Sequence, residues 1–294
     1  MPKSELTPLK KFGLFTGALA ARGLFKVLLL LPYDTRIRTM GWLMSRVVAF
    51  PTGLTTRIRK NLQLACPELP EAEVKRLCRA VPDNAGRTLM EFYSGAEFVE
   101  RAKAAKISGP GLAALEEARA EGQPVILVTG HFANYDVCRA HLIARGHNMG
   151  ALYRKMSNPY FNPFYVKMLS SLGTPIFERG RRGMIEMVRH LRGGGVLGIL
   201  TDLHAQGGTK LKFFGQQAIT STVTAELSLK YNAVLIPIYA IRQPNGLDFE
   251  ITVQEPIKPT NPVKMTQEVN DGLEKLVRSH MDQWFWIHRR WKPK

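Results

Sequence analysis

Cysteine is scarce in this chain, which has three among its 294 residues. Cys66, Cys78 and Cys138 are odd in number and form no C-x-x-C pair, so neither a disulfide framework nor a cysteine-rich zinc site is expected. The scarcity fits a reducing compartment, and each thiol is predicted to be a small, buried apolar side chain.

Acidic residues are also in short supply, because 24 Asp and Glu stand against 41 Lys and Arg. The net charge of +17 favours polyanionic partners, namely nucleic acid, an anionic membrane surface or a phosphorylated substrate. Charge alone does not choose among these three.

The chain lacks a long uncharged apolar run. Its most apolar segment, from Phe12 to Tyr33, is interrupted by Arg22 and Lys26, so it falls short of the roughly 18 residues expected of a clear membrane span. The two charges share one helix face, which predicts that residues 1–33 form a helix lying in the membrane interface. The lysines expected on its phosphate side are Lys3, Lys10 and Lys11. A tilted single span, a cleaved signal peptide and a buried core helix remain alternatives.

Several catalytic signatures are absent as well. The chain has no G-x-S-x-G motif, the usual mark of a serine hydrolase, and no G-x-x-x-x-G-K-[ST] phosphate-binding loop. Gly193, Gly195 and Gly198 match G-x-G-x-x-G by letter, but they precede an apolar run instead of following one, which is the wrong context for dinucleotide binding. No metal and no cofactor are expected.

The spacing of apolar residues changes near residue 121. Residues 34–120 carry apolar side chains at three-to-four spacing, which predicts helices. Residues 121–294 alternate short apolar runs, such as "PVILVT" and "VLGILT", with helical stretches, which predicts a mostly parallel sheet covered by helices on both faces. The alternating "LDFEITV" is predicted to be an edge strand. We expect an α/β fold with a helical N-terminal section, and a single domain over residues 34–294.

Polar residues follow three of the predicted strands. His131 comes after "PVILVTG", Arg154 after "MGALY" and Asp202 after "VLGILT". Because ligands of open α/β sheets bind beyond the carboxyl ends of the strands, these three residues are expected to share one site.

The stretch "GHFANYD" places His131 and Asp136 five residues apart. If His131 lies in the loop and Asp136 in the first turn of the next helix, with Asn134 as N-cap, the carboxylate can accept a hydrogen bond from one imidazole nitrogen. The other nitrogen is then left as a base. The alternative is a capped turn, in which Asp136 complements the helix dipole and His131 has no catalytic duty.

Two basic clusters remain. "ERGRR" holds Arg179, Arg181 and Arg182 where a helix is predicted to begin, and it is either a phosphate-binding substrate site or a solvated loop. The C-terminal "DQWFWIHRRWKPK" mixes tryptophans with basic residues up to Lys294. Such mixtures suit a membrane interface or single-stranded nucleic acid, and the alternative is that the tryptophans pack a final helix.

Taken in order, several segments resemble the late acyltransferases of lipid A biosynthesis, the lauroyl and myristoyl transferase group. "RKNLQLACPEL" resembles the family's early Asn-Leu element, "GHFANYD" its H-x-x-x-x-[DE] motif, and "LYRKMSNPYFN" its Tyr-Arg…Asn-Pro element. "FERGRRGMIEMVRHLRGGGVLGILTD" resembles the segment that ends in the family's Asp, and "WFWIHRRWK" resembles its terminal motif. The resemblance covers nearly the whole chain.

The resemblance implies that a fatty acyl chain passes from acyl carrier protein to a hydroxyl of a phosphorylated lipid A precursor, at the cytoplasmic face of the inner membrane. It implies that His131 is the general base, that Asp136 is its partner, and that Arg154 and Asp202 support the site or bind substrate. The acceptor hydroxyl is the nucleophile, so no Ser or Cys nucleophile is required. The positive net charge suits both an anionic membrane lipid and an acidic carrier protein.

Other functions stay open at this point. Coenzyme A could be the donor in place of the carrier protein, and another anionic lipid or glycolipid could be the acceptor. A basic nucleic-acid-binding protein is the more distant alternative, because no recognition motif supports it. With the acyltransferase interpretation, no nucleic-acid partner is expected.

Overall fold

The computed structural model describes residues 7–292 and places eleven α-helices and nine β-strands within them. Lys3 and Lys294, which belong to the basic clusters of the two termini, lie outside the described residues. The helices are α1 (Pro8–Leu28), α2 (Tyr33–Leu43), α3 (Leu54–Ala65), α4 (Glu71–Tyr93), α5 (Ala96–Lys103), α6 (Leu112–Ala120), α7 (Asp136–Ala144), α8 (Asn162–Ser171), α9 (Arg181–Arg192), α10 (Val223–Tyr231) and α11 (Pro262–Ser279). The strands are β1 (Lys106–Ser108), β2 (Val125–Thr129), β3 (Met149–Tyr153), β4 (Ile176–Glu178), β5 (Val196–Leu200), β6 (Thr209–Phe213), β7 (Gln216–Thr220), β8 (Val234–Arg242) and β9 (Phe249–Val253). A π-helical turn (Met44–Val48) continues α2, and a 3-10 turn (Met281–Gln283) follows α11.

Seven strands form one sheet in the order β1-β9-β8-β2-β5-β3-β4. Every neighbouring pair is parallel except β8 and β9. The remaining strands, β6 and β7, form a separate antiparallel hairpin. With helices packed on both of its faces, this sheet confirms the predicted α/β fold.

Strand β2 shows why continuous apolar runs mark this sheet. All five of its residues are buried. Val125 and Leu127 belong to a core shared with α4 and α7, whereas Ile126 and Val128 belong to a second core with residues of α9, α10 and α11. Successive side chains of a strand point to opposite faces, so a strand covered on both sides must be apolar at every position.

The helical N-terminal section packs onto the same core as the sheet. Ile37 of α2, Ile58 of α3 and Leu77 of α4 are buried in the cluster that also contains Leu127 of β2. One hydrophobic core therefore joins residues on both sides of position 121.

Two sequence predictions about the sheet are wrong. Strand β1 lies within residues 34–120, which were predicted to be helical throughout, and it pairs with β9. Strand β9, predicted to be the edge, lies between β1 and β8, so β1 is the outer strand. β1 has three residues and one apolar side chain, and its partner is far along the chain, with Lys106 opposite Glu250. No local pattern could therefore reveal it.

Helix α1 buries one face and exposes the other. Ala18, Phe25 and Leu28 are buried, and the ring of Phe25 lies 4.2 Å from the ring of Tyr93 in α4. The exposed side carries large apolar residues, namely Leu9, Phe12, Phe15, Leu19, Leu24 and Val27. None of the helices within residues 7–292 combines the length and the apolarity that crossing a bilayer requires.

The strand order brings four carboxyl ends together. β5 lies between β2 and β3, and β4 lies on the outer side of β3. These four strands are parallel to their neighbours, so their carboxyl ends share one edge of the sheet. In an open α/β sheet this edge is where a ligand binds.

Candidate active site

A cavity of about 890 Å³ lies at this edge of the sheet. Its polar side is formed by residues at or just beyond the strand ends, namely Thr129, His131, Tyr153, Arg154 and Arg179. Its apolar side is formed by side chains from four helices, namely Ala21 and Phe25 of α1, Leu89 and Phe92 of α4, Cys138 of α7 and Leu169 of α8. A cavity with a polar end and an apolar body suits a ligand that joins a polar group to a hydrocarbon chain.

His131 is held by two hydrogen bonds to Asp202, which is 71 residues away in sequence. Its Nδ1 lies 2.8 Å from Oδ1 of Asp202, and its backbone N–H donates to Oδ2 over 2.8 Å. The indole N–H of Trp284 donates to the same Oδ2 over 2.9 Å. Only 1% of the Asp202 side chain is exposed, against 23% of the His131 side chain. A buried carboxylate therefore anchors a histidine that reaches the cavity.

These hydrogen bonds determine the charge of Asp202. Burial acts to raise the pKa of its carboxyl group, but the charge of His131 and the hydrogen bonds from His131 and Trp284 together outweigh burial and lower the pKa. An ionised carboxylate only accepts hydrogen bonds, so Nδ1 of His131 carries the proton between them. The Nε2 atom is then left with its lone pair, which is the form a general base needs.

Gly130 allows the close approach of His131 to Asp202. A Cβ atom at position 130 would lie 2.9 Å from Leu273 and 3.2 Å from Oδ2 of Asp202. At the first distance the end of the Leu273 side chain would have to move, and at the second the Cβ atom would press on the carboxylate that holds the imidazole. The glycine of "GHFANYD" is therefore part of the geometry of the pair.

The turn after His131 is fixed by its surroundings. Ala133 has a left-handed φ of 42°, a conformation that costs a non-glycine residue about 1–3 kcal/mol and persists only where neighbouring groups enforce it. Its N–H donates to the carbonyl of Gln283 over 2.7 Å, and its carbonyl accepts from the hydroxyl of Thr88 over 2.9 Å. Next to it, Asn134 donates to the buried carboxylate of Glu91 over 3.0 Å. The loop is thus held from α4 and from the C-terminal segment.

The sequence prediction that Asp136 is the hydrogen-bond partner of His131 is wrong, because Asp202 occupies that position. Helix α7 begins at Asp136 with Tyr135 in the capping position, so Asn134 is not the N-cap, although its Oδ1 accepts from the Asp136 N–H over 3.1 Å. Asp136 lines the cavity and is buried. Burial raises the pKa of its carboxyl group, while the charges of Arg139 and His131 oppose this rise. Asp136 therefore lies in the same cavity as His131, but the Nδ1 atom of the imidazole is bonded to Asp202 instead.

The predicted cluster of Arg179, Arg181 and Arg182 divides between two places, and its first member joins Arg154. Arg154 and Arg179 are exposed side chains that line the cavity. Arg181 and Arg182 lie at the start of α9 on a separate, shallower surface, where Arg182 pairs with Glu186 over 2.8 Å. The structure therefore brings Arg154 and Arg179 to the site with His131 and leaves Arg181 and Arg182 outside it.

Almost the whole chain matches one protein family. The model for that family, described as "Bacterial lipid A biosynthesis acyltransferase", matches residues 5–293. This chain belongs to that family. It is an acyltransferase of lipid A biosynthesis.

Curated relatives of this acyltransferase match over most of their length. The lipid A biosynthesis lauroyltransferase of Escherichia coli (strain K12) is 23% identical over 279 residues, which are 92% of this chain and 90% of that protein. A lipid A biosynthesis acyltransferase of Haemophilus influenzae is 24% identical over 268 residues, 86% of this chain and 82% of that protein. The lipid A biosynthesis acyltransferase 2 of Shigella flexneri is 24% identical over 237 residues, 77% of this chain and 74% of that protein. The likeness is therefore not confined to one motif.

The C-terminal segment of the acyltransferase forms the back of the site. Trp284 and Trp286 are 1% and 0% exposed, and their rings lie 4.8 Å apart. Arg290 is fully buried, and it donates to the carbonyl of Ile219 over 2.8 Å and to Oγ1 of Thr220 over 2.5 Å. Trp284 and Trp286 pack inside the protein, as the packing alternative expects, although the segment is not a helix. They offer no face to a nucleic-acid base or a membrane.

Two residues near the site gave no functional signal of their own in the sequence. Nδ2 of Asn61 in α3 donates to the carbonyls of Trp286 and His288, each over 2.7 Å. His288 lines the cavity, and its Nε2 accepts from the backbone N–H of His204 over 3.1 Å. Burial lowers the pKa of His288 to about 4, so this imidazole is neutral at neutral pH. The segments "RKNLQL" and "WFWIHRRWK" each resemble a segment of the family. The sequence alone did not show that Asn61 of the first segment bonds the backbone of the second.

Three histidines and one aspartate line the cavity, namely His131, His204, His288 and Asp136. Within residues 7–292, no group of three or more His, Cys, Asp or Glu is arranged to hold a metal ion. Of the three histidines, His131 is the one whose Nδ1 is bound to a buried carboxylate.

Proposed function

We propose that this acyltransferase moves a fatty acyl chain from an acyl thioester on acyl carrier protein to a hydroxyl of a phosphorylated lipid A precursor, with His131 as the general base. One observation carries the proposal. The buried Asp202 carboxylate bonds Nδ1 of His131 and so leaves Nε2 to take a proton, at the polar end of a mostly apolar cavity.

Proton transfer is the step that this pair suits. As the acceptor hydroxyl attacks the thioester carbonyl, Nε2 of His131 takes its proton and the imidazole becomes positively charged. The Asp202 carboxylate stabilises that charge through the 2.8 Å bond to Nδ1. When the tetrahedral intermediate collapses, the C–S bond breaks and the imidazolium returns the proton to the leaving sulfur. The substrate hydroxyl is the nucleophile, so no acyl-enzyme forms.

Asp136 keeps a secondary role in this proposal. It lies near enough for the charge of His131 to act on its pKa, and a second carboxylate close to the imidazole favours the imidazolium as it forms. The contribution is electrostatic, because Nδ1 is already occupied by Asp202.

The acceptor's phosphate is proposed to bind at Arg154 and Arg179. Both guanidinium groups are exposed, line the cavity and follow neighbouring strands, and guanidinium groups suit phosphate oxygens. Arg181 and Arg182 are proposed as outer contacts with anionic groups, since they lie at the surface beyond the cavity.

An anionic membrane, the cytoplasmic face of the inner membrane, is proposed as the place from which the acceptor enters. Ala21 and Phe25 of α1 line the same cavity as His131. The opposite side of α1 exposes large apolar side chains such as Leu9 and Phe12. A helix that borders the cavity on one side and exposes an apolar face on the other suits a lipid interface.

Mass spectrometry of a reaction mixture tests this function. Purified wild-type protein is incubated with acyl-acyl carrier protein and a lipid A precursor, and we expect a product that is heavier by one acyl chain. His131→Ala should still unfold in a single thermal transition and form no such product above background. A glycerophosphate and a phosphate-free glycolipid, offered in parallel, test whether another lipid is the acceptor. Normal turnover by a folded His131→Ala protein would remove the general base from the proposal.

A further inference from the structure

The apolar part of the cavity ends at a definite position along strands β3 and β5. In β3, burial ends after Gly150, and in β5 it ends after Leu197. The next residues, Ala151 and Gly198, are half-buried, stand opposite each other and line the cavity. Both strands therefore become open to the cavity at this pair of opposite residues, Ala151 and Gly198.

Met149 and Gly198 form this closed end. A Cβ atom at position 198 would lie 2.6 Å from Cε of Met149, so the methionine methyl group occupies the space that a larger residue at 198 would fill. Met149 is 4% exposed, yet it lines the cavity. Val196, which pairs with Met149, and the neighbouring Val125 do not line it. The cavity therefore stops at the Met149 side chain.

Between Met149 and the strand ends, two of the three residues on the floor of the cavity are small. Leu127, Gly198 and Ala151 stand side by side across β2, β5 and β3, and Gly198 and Ala151 have nothing beyond Cβ. At a rise of about 3.3 Å per residue, the path along β3 from Tyr153 to Met149 is about 13 Å long. An extended acyl chain of medium length can lie along such a path.

We propose that Met149, resting on Gly198, sets the length of the acyl chain that the enzyme accepts. This inference rests on the proposed acyl transfer, because it places the thioester at His131 and the hydrocarbon on the floor of the cavity. The terminal methyl group of the chain then meets Cε of Met149. A hydrophobic pocket discriminates about 10- to 200-fold for one methylene group too many or too few, so the residue at the end of the path controls the choice.

Two variants should change the preferred length in opposite directions. Met149→Ala removes the end of the cavity, so the preferred donor should become longer. Gly198→Ala places a Cβ 2.6 Å from the methionine methyl group, so this flexible end must move. We expect it to move into the cavity, so the preferred donor should become shorter. Met187→Ala is the matched control, because Met187 is equally buried but belongs to the core on the opposite face of the sheet.

The measurement is kcat/KM for acyl-carrier-protein donors from octanoyl to stearoyl, with a thermal melt of each protein. We expect the ratio of kcat/KM for longer donors to kcat/KM for shorter donors to change at least about 10-fold in Met149→Ala and in Gly198→Ala, in opposite directions. The ratio should stay unchanged in Met187→Ala. If wild-type protein transfers acyl chains but Met149→Ala and Gly198→Ala both keep its preferred chain length, Met149 is not the end of the path. The proposed function would still stand.

A binding series separates the two ideas further. Free fatty acids from octanoate to stearate are titrated into the same four proteins, with the rise in melting temperature as readout. Should wild-type protein transfer no acyl chain at all, the proposed function fails, and a shift of the preferred fatty acid in Met149→Ala and Gly198→Ala still supports this end of the cavity. Identical binding preferences in all four proteins would overturn it.

Discussion

At the scale of single residues, removing one carboxylate at a time tests how His131 is activated. Asp202→Asn keeps the shape of the side chain but removes the charge that stabilises the imidazolium and the acceptor that fixes the proton on Nδ1. We expect kcat/KM for acyl transfer to fall by about 10²–10⁴-fold. Asp136→Asn should lower it less, because no hydrogen bond joins Asp136 to the ring. Initial rates measured beside thermal melts make the comparison, and an inactive Asp136→Asn with a nearly normal Asp202→Asn would reverse the two roles.

Acid should destabilise the protein through Asp202. The pKa of this carboxyl group is lowered from its ordinary value of 3.8, so folding favours the ionised form. The stabilisation is fully present above the unfolded pKa and is lost as the pH falls through the lower native pKa. We expect the melting temperature of the wild type to drop as the pH is taken below about 4, and Asp202→Asn to drop less steeply. Parallel melting curves against pH would show that Asp202 adds nothing to acid sensitivity.

The two arginine pairs carry equal charge and lie in different places, which makes each a control for the other. Arg154→Gln with Arg179→Gln removes two cations from the cavity, and Arg181→Gln with Arg182→Gln removes two from the surface of α9. We expect the first pair to raise KM for the lipid acceptor more than it lowers kcat, and the second pair to change KM less. Acceptor titrations at two salt concentrations measure both. Equal effects of the two pairs would mean that the phosphate binds outside the cavity.

At the scale of elements, the sequence predicts those strands that are determined by the local pattern of apolar residues. "PVILVT" and "VLGILT" are strands because a sheet covered on both faces needs continuous apolar runs, and they correspond to β2 and β5. Strand order depends on contacts between distant segments, which no local pattern shows. β5 lies between β2 and β3, and this order alone places Asp202, rather than the nearby Asp136, on Nδ1 of His131.

Helix α1 should determine attachment to the membrane. Replacing Leu9, Phe12 and Leu19 by Gln removes apolar surface that is at least 59% exposed and leaves the buried Ala18 and Phe25 in place. We expect the protein to move from the vesicle-bound to the free fraction in sedimentation with anionic vesicles, with its melting temperature unchanged.

The matched control for α1 uses three other exposed apolar residues. Trp42, Val47 and Phe50 are 56%, 51% and 82% exposed and belong to α2, the π-helical turn and the loop that follows it. Their replacement by Gln should leave sedimentation unchanged. If this triple variant is released and the α1 variant stays bound, the membrane contact lies on the control surface instead.

At the scale of the whole molecule, distant parts of the chain converge on one site. The turn that carries His131 is held by Thr88 in α4 and by Gln283. Asn61 in α3 holds the carbonyl of Trp286, and the neighbouring Trp284 bonds Asp202. The N-terminal helices and the C-terminal segment thus position a site that the sheet presents, while α1 exposes its outer apolar face.

The most direct test of the central claim is the mass of lipid A from a strain that lacks the gene for this protein. We predict lipid A that is lighter by one acyl chain, full restoration by the wild-type protein, and no restoration by His131→Ala expressed at the same level. Lipid A of unchanged mass in the deletion strain, or full restoration by His131→Ala, would contradict this account.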